Sequence, residues 1–342
     1  MTDNTFVLLQ SVDSGLAQTT SVRQLNRLLA DYPYYPYYWL GSLAPNLKPN
    51  LEVLADYLKS QIQNYMKNNA VVINHRLGLA VAVKDEWDSQ HFNCLVFKIP
   101  YLIAAFNQPQ NVQETIKASL IEKILKALIA QSPVYVFTRL PDADVTSIRS
   151  LQRLGFTMID SLITFAQILP NSFGSADSFD TVSLIETIES NLELPPELLV
   201  IARDAFRYDR FHTDPIIAEL VGSGLNNLYA DWIVNGWREN RILLALGPNR
   251  TITGFLIYRI ETISYFAQKI ATIELIATHP DYRNRGIGKR LVTKALDLFV
   301  AKGARIASVG TQAQNFPAIR LYQSCGFKII TSFVSFRKWL IS

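Results

Sequence analysis

The landmarks of one stretch of this 342-residue chain return 171 positions later, at half its length. Ile148-Arg149 returns as Ile319-Arg320, Gly155-Phe156 as Gly326-Phe327, Phe165 as Phe336, and Asp144 as Asn315. The apolar stripe Leu120, Ile121, Ile124, Leu125 and Leu128 has its counterpart in Leu291, Val292, Ala295, Leu296 and Phe299, both at helical spacing. Solenoid repeats have periods of roughly 20–50 residues. A period this long therefore predicts two copies of one domain. Amphipathic helices resemble each other by chance, but coincident landmarks at a single offset weigh against that explanation.

The second copy carries the chemistry. Ile273-Glu274-Leu275-Ile276-Ala277 reads as a buried strand, and Pro280 stops it. Arg283-Asn284-Arg285-Gly286-Ile287-Gly288 then leads into the helical stripe, which Gly303 closes. A glycine turn from a strand into a helix N-terminus aims several backbone N–H groups, and the positive end of the helix dipole, at one spot. Missing Cβ atoms at Gly286 and Gly288 allow close backbone approach to a pyrophosphate. The pattern is neither a G-x-G-x-x-G followed by an acidic residue nor a G-x-x-x-x-G-K-[ST], which argues against a Rossmann site and a P-loop.

The first copy lacks these features. Val112, Thr115 and Lys117 stand where the second copy has Arg283, Gly286 and Gly288, and Glu114 stands for Arg285. A carboxylate there repels phosphate. Leu151 stands for Tyr322. This copy keeps its core periodicity without the anion turn or the phenol, as a structural or substrate-shaping domain would.

Charged residues are 18% and hydrophobic ones 49%, which is the balance of a globular chain. The net charge of +4 comes from scattered Lys and Arg, so no nucleic-acid partner is expected. Two cysteines suit a reducing compartment. Four histidines form no metal-spaced cluster, and His91-x-x-Cys94 reads as an isolated pair, so no metal is expected. No signal peptide is read at the N-terminus, and the apolar run Val71 to Val83 is interrupted and too short to span a bilayer. A cytoplasmic protein with no membrane partner is the expectation.

The turn R-x-x-G-x-G after His279-Pro280, then Ile306 to Val309, Asn315, Ala318-Ile319, Leu321-Tyr322 and Gly326-Phe327, resembles the signature of the GNAT acetyltransferase superfamily. Glu86-Trp87-Asp88-Ser89-x-His91-Phe92, Phe206-x-x-Asp209-Arg210-Phe211, Tyr229-x-x-Trp232-Ile233 and Gly310-Thr311-Gln312-x-x-Asn315 look like the TDP-fucosamine N-acetyltransferases, which acetylate a TDP-4-amino-4,6-dideoxy sugar. That resemblance runs from about residue 80 to the end, and Glu274 stands where that family commonly has a small residue.

The resemblance implies an α/β (α+β) fold of tandem GNAT-like domains, each a twisted mixed sheet flanked by helices. Residues 1–70 lie outside the resemblance; their own pattern reads as a helical and aromatic extension, with the aromatic-Pro run Tyr32 to Trp39 and an amphipathic helix from Leu51 to Met66. Residues 71–169 would be the degenerate copy, 170–181 a polar linker, and 182–342 the catalytic domain. The implied co-substrate is acetyl-CoA, held by Ile276, Ala277, Thr278, Arg283, Asn284, Arg285, Gly286, Ile287, Gly288, Lys289 and Asn315. Backbone N–H groups around Ile276 and Thr278 would meet the thioester oxygen. Asn315 would touch the cofactor, cap the helix bearing Tyr322, or do both.

Tyr322 would protonate the leaving thiolate, since a phenol titrating near ~10 stays protonated where a thiol of ~8.5 is leaving. Glu274 is either the general base or one half of a cross-strand ion pair. Asp209, Arg210 and His212 form either the acceptor loop or an ordinary surface loop. The implied acceptor is a small-molecule amine, foremost an amino sugar or nucleotide-linked amino sugar. A mycothiol-type conjugate, an amino acid, a protein N-terminus and a non-catalytic CoA-binding regulator are the alternatives, and a homodimer is compatible with all of them.

Overall fold

Side-chain caps set where several of the helices begin. Asn50 accepts from the amides of Glu52 and Val53 and starts a helix at Leu51. Asp144 accepts from Ser147 N, and 171 positions later Asn315 accepts from Ala318 N. The helices that follow span Val145–Arg153 and Phe316–Ser324, at the same offset. The computed structural model describes residues 7–9, 22–68, 70–170, 183–186, 193–206 and 209–341. All but Pro170 of the linker expected at 170–181 lies outside the described residues.

The first half runs β1 (Val7–Leu9), α1 (Val22–Leu29), α2 (Leu40–Leu43), α3 (Leu51–Lys67), β2 (Val71–His75), β3 (Gly78–Lys84), α4 (Glu86–Phe92), β4 (Leu95–Ala104), α5 (Gln110–Leu128), β5 (Val134–Pro141), α6 (Val145–Arg153) and β6 (Thr157–Ile168). The second runs β7 (Ser183–Glu186), α7 (Pro196–Ala205), α8 (Arg210–Thr213), α9 (Pro215–Val221), α10 (Leu225–Arg238), β8 (Ile242–Leu246), β9 (Ile252–Ile263), β10 (Gln268–Thr278), α11 (Ile287–Ala301), β11 (Ile306–Gln312), α12 (Phe316–Ser324) and β12 (Lys328–Leu340). No helix among the described residues is long and apolar enough to cross a membrane.

Two packing units form, and they do not follow chain order. One comprises Met1–Ser161, Ser264–Phe266 and Ser332–Ser342, and the other Leu162–Ile263 and Ala267–Thr331. In the first unit the strand order is β1-β2-β3-β4-β5-β12. Its one parallel pair is β4–β5, and the end of β12 closes the edge of β5 antiparallel, from Phe333↔Pro141 to Leu340↔Val134. In the second the order is β7-β8-β9-β10-β11-β6, with β10–β11 parallel and the end of β6 closing β11 from Leu162↔Gln312 to Ile168↔Ile306. Each half thus gives its last strand to the other unit.

The exchange is reciprocal down to single hydrogen bonds. Lys338 donates to Leu154 O in the first unit, and Gln167, 171 positions before Lys338, donates to Cys325 O in the second. Phe336 joins the core of the first unit and Phe165 that of the second.

The stripes read from the sequence fill those cores. Leu120, Ile121, Ile124 and Leu128 of α5 pack on β2–β4, and Leu291, Val292, Ala295, Leu296 and Phe299 of α11 pack on β8–β10. Every residue of β8 is buried, as are four of the five in β2. Strands buried on both faces read as continuous apolar runs, which is how β8 appears in the sequence, whereas β2 ends in the buried polar Asn74 and in His75.

Where the second half has a turn, α5 is simply helix, and Val112, Glu114 and Thr115 lie within it. Lys117, at the position of Gly288, is 1% exposed. Its ammonium lies 2.7 Å from Asp144 Oδ1, 2.9 Å from Thr146 Oγ1 and 2.7 Å from Ser147 Oγ. Burial lowers the Lys117 pKa and the Asp144 carboxylate opposes that shift. Lys117→Met should cost about 3–5 kcal/mol in chemical denaturation, because it leaves the Asp144 carboxylate buried without a countercharge. The double variant Lys117→Met/Asp144→Asn should recover a large part of that loss. A single variant as stable as wild type would contradict this account of the pair.

Candidate active site

The second unit contains a gap between parallel strands. β10 and β11 pair from Ile270↔Ile306 to Ile273↔Val309 and then part. β10 continues beside β9 as far as Thr278, and β11 continues beside β6 as far as Gln312. A bulge at Glu274 shifts the β9–β10 register just where the pairing with β11 ends. His279 N donates to Thr253 O at 2.9 Å. By strand alternation the amides of Leu275 and Ala277 face β9 as well, whereas those of Ile276 and Thr278 face the gap. Ala277, expected among the binding residues, therefore turns its amide away from the gap.

Beyond β10 the turn is exposed from Arg283 to Gly286. Asn284 has φ 61° and Gly286 φ 77°, and Gly286 stands at the N-cap of α11 with no side chain capping that helix. A Cβ at Gly286 would meet nothing within 4 Å, so its glycine answers to the left-handed backbone and to open space above it. The amides following Gly286 are uncapped, and Arg283, Arg285 and Lys289 are exposed cations around them. Arg285 lies over the ring of Tyr282 at 5.2 Å. A diphosphate fits this combination of uncapped amides, flanking cations and open space.

Gly288 has a different reason. A Cβ there would come 3.2 Å from Leu321 and 4.0 Å from Thr278 Oγ1. The ends of β10, α11 and α12 meet at this glycine, and Tyr322 is the next residue along α12. Close approach of the chain to itself is a reason for the missing side chain, beside the close approach to a ligand that the sequence suggests. Ile287, beside it, is core.

Tyr322 is buried, between Phe165 at 5.8 Å and Phe327 at 6.1 Å. Burial, aided by Cys325, pushes its pKa well above the ordinary 10.0. Asn315 caps α12 through Oδ1 and donates from Nδ2 to Thr311 Oγ1 at 3.1 Å, so its amide is engaged at both ends. Glu274 accepts from Arg241 at 2.6 Å and lies 3.5 Å from Arg259. The carboxylate is half of an ion-pair cluster. Neither arginine is near it in sequence, so the sequence left the base and the ion pair as equal readings.

Asp209, Arg210 and His212 belong to the helical layer. Asp209 caps α8, and its other oxygen lies 2.7 Å from His212 Nδ1. Burial alone would raise the Asp209 pKa, but hydrogen bonds from His212 and Tyr229 bring it below the usual carboxylate value. Arg210 is 9% exposed and stacks on Phe211 at 4.1 Å, so its guanidinium is packed within the helical layer. Beside this group, Tyr229 lies parallel to Phe206 at 4.4 Å and to Trp232 at 6.3 Å. These rings carried part of the resemblance in the sequence, but their ladder was not foreseen. The i, i+3 spacing of Tyr229 and Trp232 on one helix was the available signal.

The comparisons agree with this geometry. The sequence profile of the acetyltransferase (GNAT) family matches residues 212–327. The spore coat polysaccharide biosynthesis protein SpsD of Bacillus subtilis is 23% identical over 60% of this chain and 66% of its own length. The mycothiol acetyltransferase of Corynebacterium glutamicum is 28% identical over 30% of this chain and 33% of its own. The chain thus spans a third of one curated relative and just under two-thirds of the other. The solved structure of a tandem GNAT protein from the clavulanic acid biosynthesis pathway superposes over 99% of both chains with a TM-score of 0.56 at 13% identity, which is a likeness of fold. The segment that matches the GNAT acetyltransferase profile spans the glycine turn and α12, and the chain as a whole shares the fold of a tandem GNAT protein.

Proposed function

We propose that the second unit transfers an acetyl group from acetyl-CoA to the primary amine of a small molecule, by direct attack within a ternary complex. The observation that carries this reading is the convergence of Thr278, Gly288 and Leu321, which joins the end of the gap, the anion turn and the helix of Tyr322. The uncapped amides after Gly286, with Arg283, Arg285 and Lys289, would hold the diphosphate of CoA. The amides of Ile276 and Thr278 would donate to the thioester oxygen as it gains negative charge. Tyr322 would give its proton to the leaving sulfur as the new C–N bond forms and the C–S bond breaks, and the surplus proton on the acylated nitrogen would return, directly or through water, to restore the phenol. The attacking amine must first lose its own proton, and Glu274 would accept it through water or leave it to solvent.

The acceptor we favour is an amino sugar or nucleotide-linked amino sugar. Two observations support it: the polysaccharide-biosynthesis relative and the ring ladder of Phe206, Tyr229 and Trp232 beside Asp209 and His212. TDP-4-amino-4,6-dideoxygalactose is the first acceptor to assay. The mycothiol acetyltransferase relative favours a second reading, an amine on a thiol conjugate, and both acceptors belong in one panel. We read residues 182–342 as the catalytic domain and 71–169 as its degenerate partner.

Three outcomes follow from these assignments. Isothermal titration should count one acetyl-CoA per chain, and Gly286→Val should weaken that binding; two equivalent sites would contradict a single competent copy. Tyr322→Phe should lower kcat by about 10²–10⁴-fold while leaving acetyl-CoA affinity nearly unchanged, since the proton is passed only in the transition state. Wild-type turnover in that variant, where chemistry limits the rate, would refute the acid role. Because burial raises the phenol's pKa above 10.0, Tyr322 stays protonated as pH rises through that value. The kcat profile should therefore climb to a plateau as the amine is deprotonated and show no fall up to that pH. A fall well below it would mean that a different acid serves.

A further inference from the structure

The aromatic run Tyr32 to Trp39 is not among the residues assigned to acetyl transfer above, and it lines a cavity of about 170 Å³ in the first unit. The cavity lies where β4 and β5 part. Those strands pair in parallel only from Leu95↔Val134 to Lys98↔Phe137, although β4 continues to Ala104 and β5 to Pro141. This is the counterpart of the β10–β11 gap. It has no diphosphate site beside it, because α5 runs straight through the turn positions and Lys117 is tied to Asp144. Tyr32 stands against that pair, with its hydroxyl 3.4 Å from Asp144 Oδ2. The chain's own phenol thus reaches the buried pair, and a ring-sized space remains beyond it.

We propose that this cavity binds a neutral pyranose ring. The size suits one six-membered ring, since an apolar cavity of about 150 Å³ admits benzene. The walls pair ring faces with hydroxyl groups, the surface that a sugar's C–H face and hydroxyls require. The rings are set edge to face, Tyr32 against Tyr34 and Tyr34 against Tyr38, each at 89°. A flat nucleobase is best held between parallel rings, and the tilted walls here match a puckered ring instead.

Among the described lining residues Arg139 is the charged one, and none is a carboxylate. A sugar bearing an ammonium finds no counterion there, whereas a neutral ring loses nothing. The walls are fixed in advance. Tyr34 donates to Ala143 O at 2.7 Å, Arg139 is held by Ser335 and Asp160, and Tyr37 adopts φ 61°, a backbone that such a residue seldom takes without support. Preorganised walls spare the ligand the cost of ordering them.

The proposal does not depend on acetyl transfer, and its failure would leave the Tyr322 test untouched. It is tested by saturation-transfer NMR on the full-length protein with N-acetylglucosamine, glucosamine and thymidine as separate probes, with and without acetyl-CoA. N-acetylglucosamine should bind with a millimolar dissociation constant that acetyl-CoA leaves unchanged, and glucosamine should bind at least about tenfold more weakly. Tyr35→Ala, which removes a wall, and Leu58→Trp, which fills the space, should each abolish the signal while melting temperature reports the fold. If one variant unfolds, the other decides. No N-acetylglucosamine binding, binding that survives a folded variant, or stronger binding of thymidine or glucosamine would overturn the proposal.

Discussion

Everything that gives this protein a site depends on two adjacent parallel strands losing their hydrogen bonds partway along. Between β10 and β11 the ladder ends at Ile273↔Val309, and the backbone groups beyond it must find other partners. The outward amides of β10 are satisfied by β9 and those of β11 by β6, so the strands stay ordered while the inner amides remain available. A parallel pair that parts would otherwise present two unsupported edges. The exchange of terminal strands, β6 to β11 and β12 to β5, supplies the support. It also makes each unit depend on the other half of the chain for its last strand, which explains why the terminal Phe336 lies in the core of the first unit.

The two copies put the same architecture to different ends. In the second, small residues and a left-handed backbone hold a helix N-terminus open and charged. In the first, the helix begins six residues earlier relative to the repeat, at Gln110, and covers the corresponding positions. A lysine stands where Gly288 would be, and its charge is neutralised internally by Asp144. Such a buried pair stabilises only while both partners are present. The first copy therefore keeps an ordered sheet and a parted strand pair while lacking the features that would recognise a phosphate.

Local features of this arrangement could be read before any coordinates. The positive φ at Gly286 follows from a glycine between a stopped strand and a helical stripe, and the cap at Asn315 follows from Pro317 two residues on. The apolar stripes of α5 and α11 are core as their spacing implies. Features that depend on distant partners were hidden. Gly288 is small because Leu321 leans on it, and a ligand would demand the same glycine. Glu274 is held by Arg241 and Arg259, whose positions carry no mark of the pairing. Strand exchange leaves no trace in a repeat of fixed period, since the period records the order of elements and not which edge each one joins. Tyr32 meets Asp144 across 112 residues, a separation that no local pattern encodes.

The central claim is that one copy binds acetyl-CoA through its turn and the other cannot. Hydrogen–deuterium exchange with and without acetyl-CoA tests it directly, because the amides in question are the proposed ligands themselves. Protection should rise at 276–278 and 286–290, with α12 following through Gly288, and residues 110–117 should exchange at the same rate in both states. Protection at 110–117 equal to that at 286–290 would contradict the account, as would protection confined to segments outside the turn.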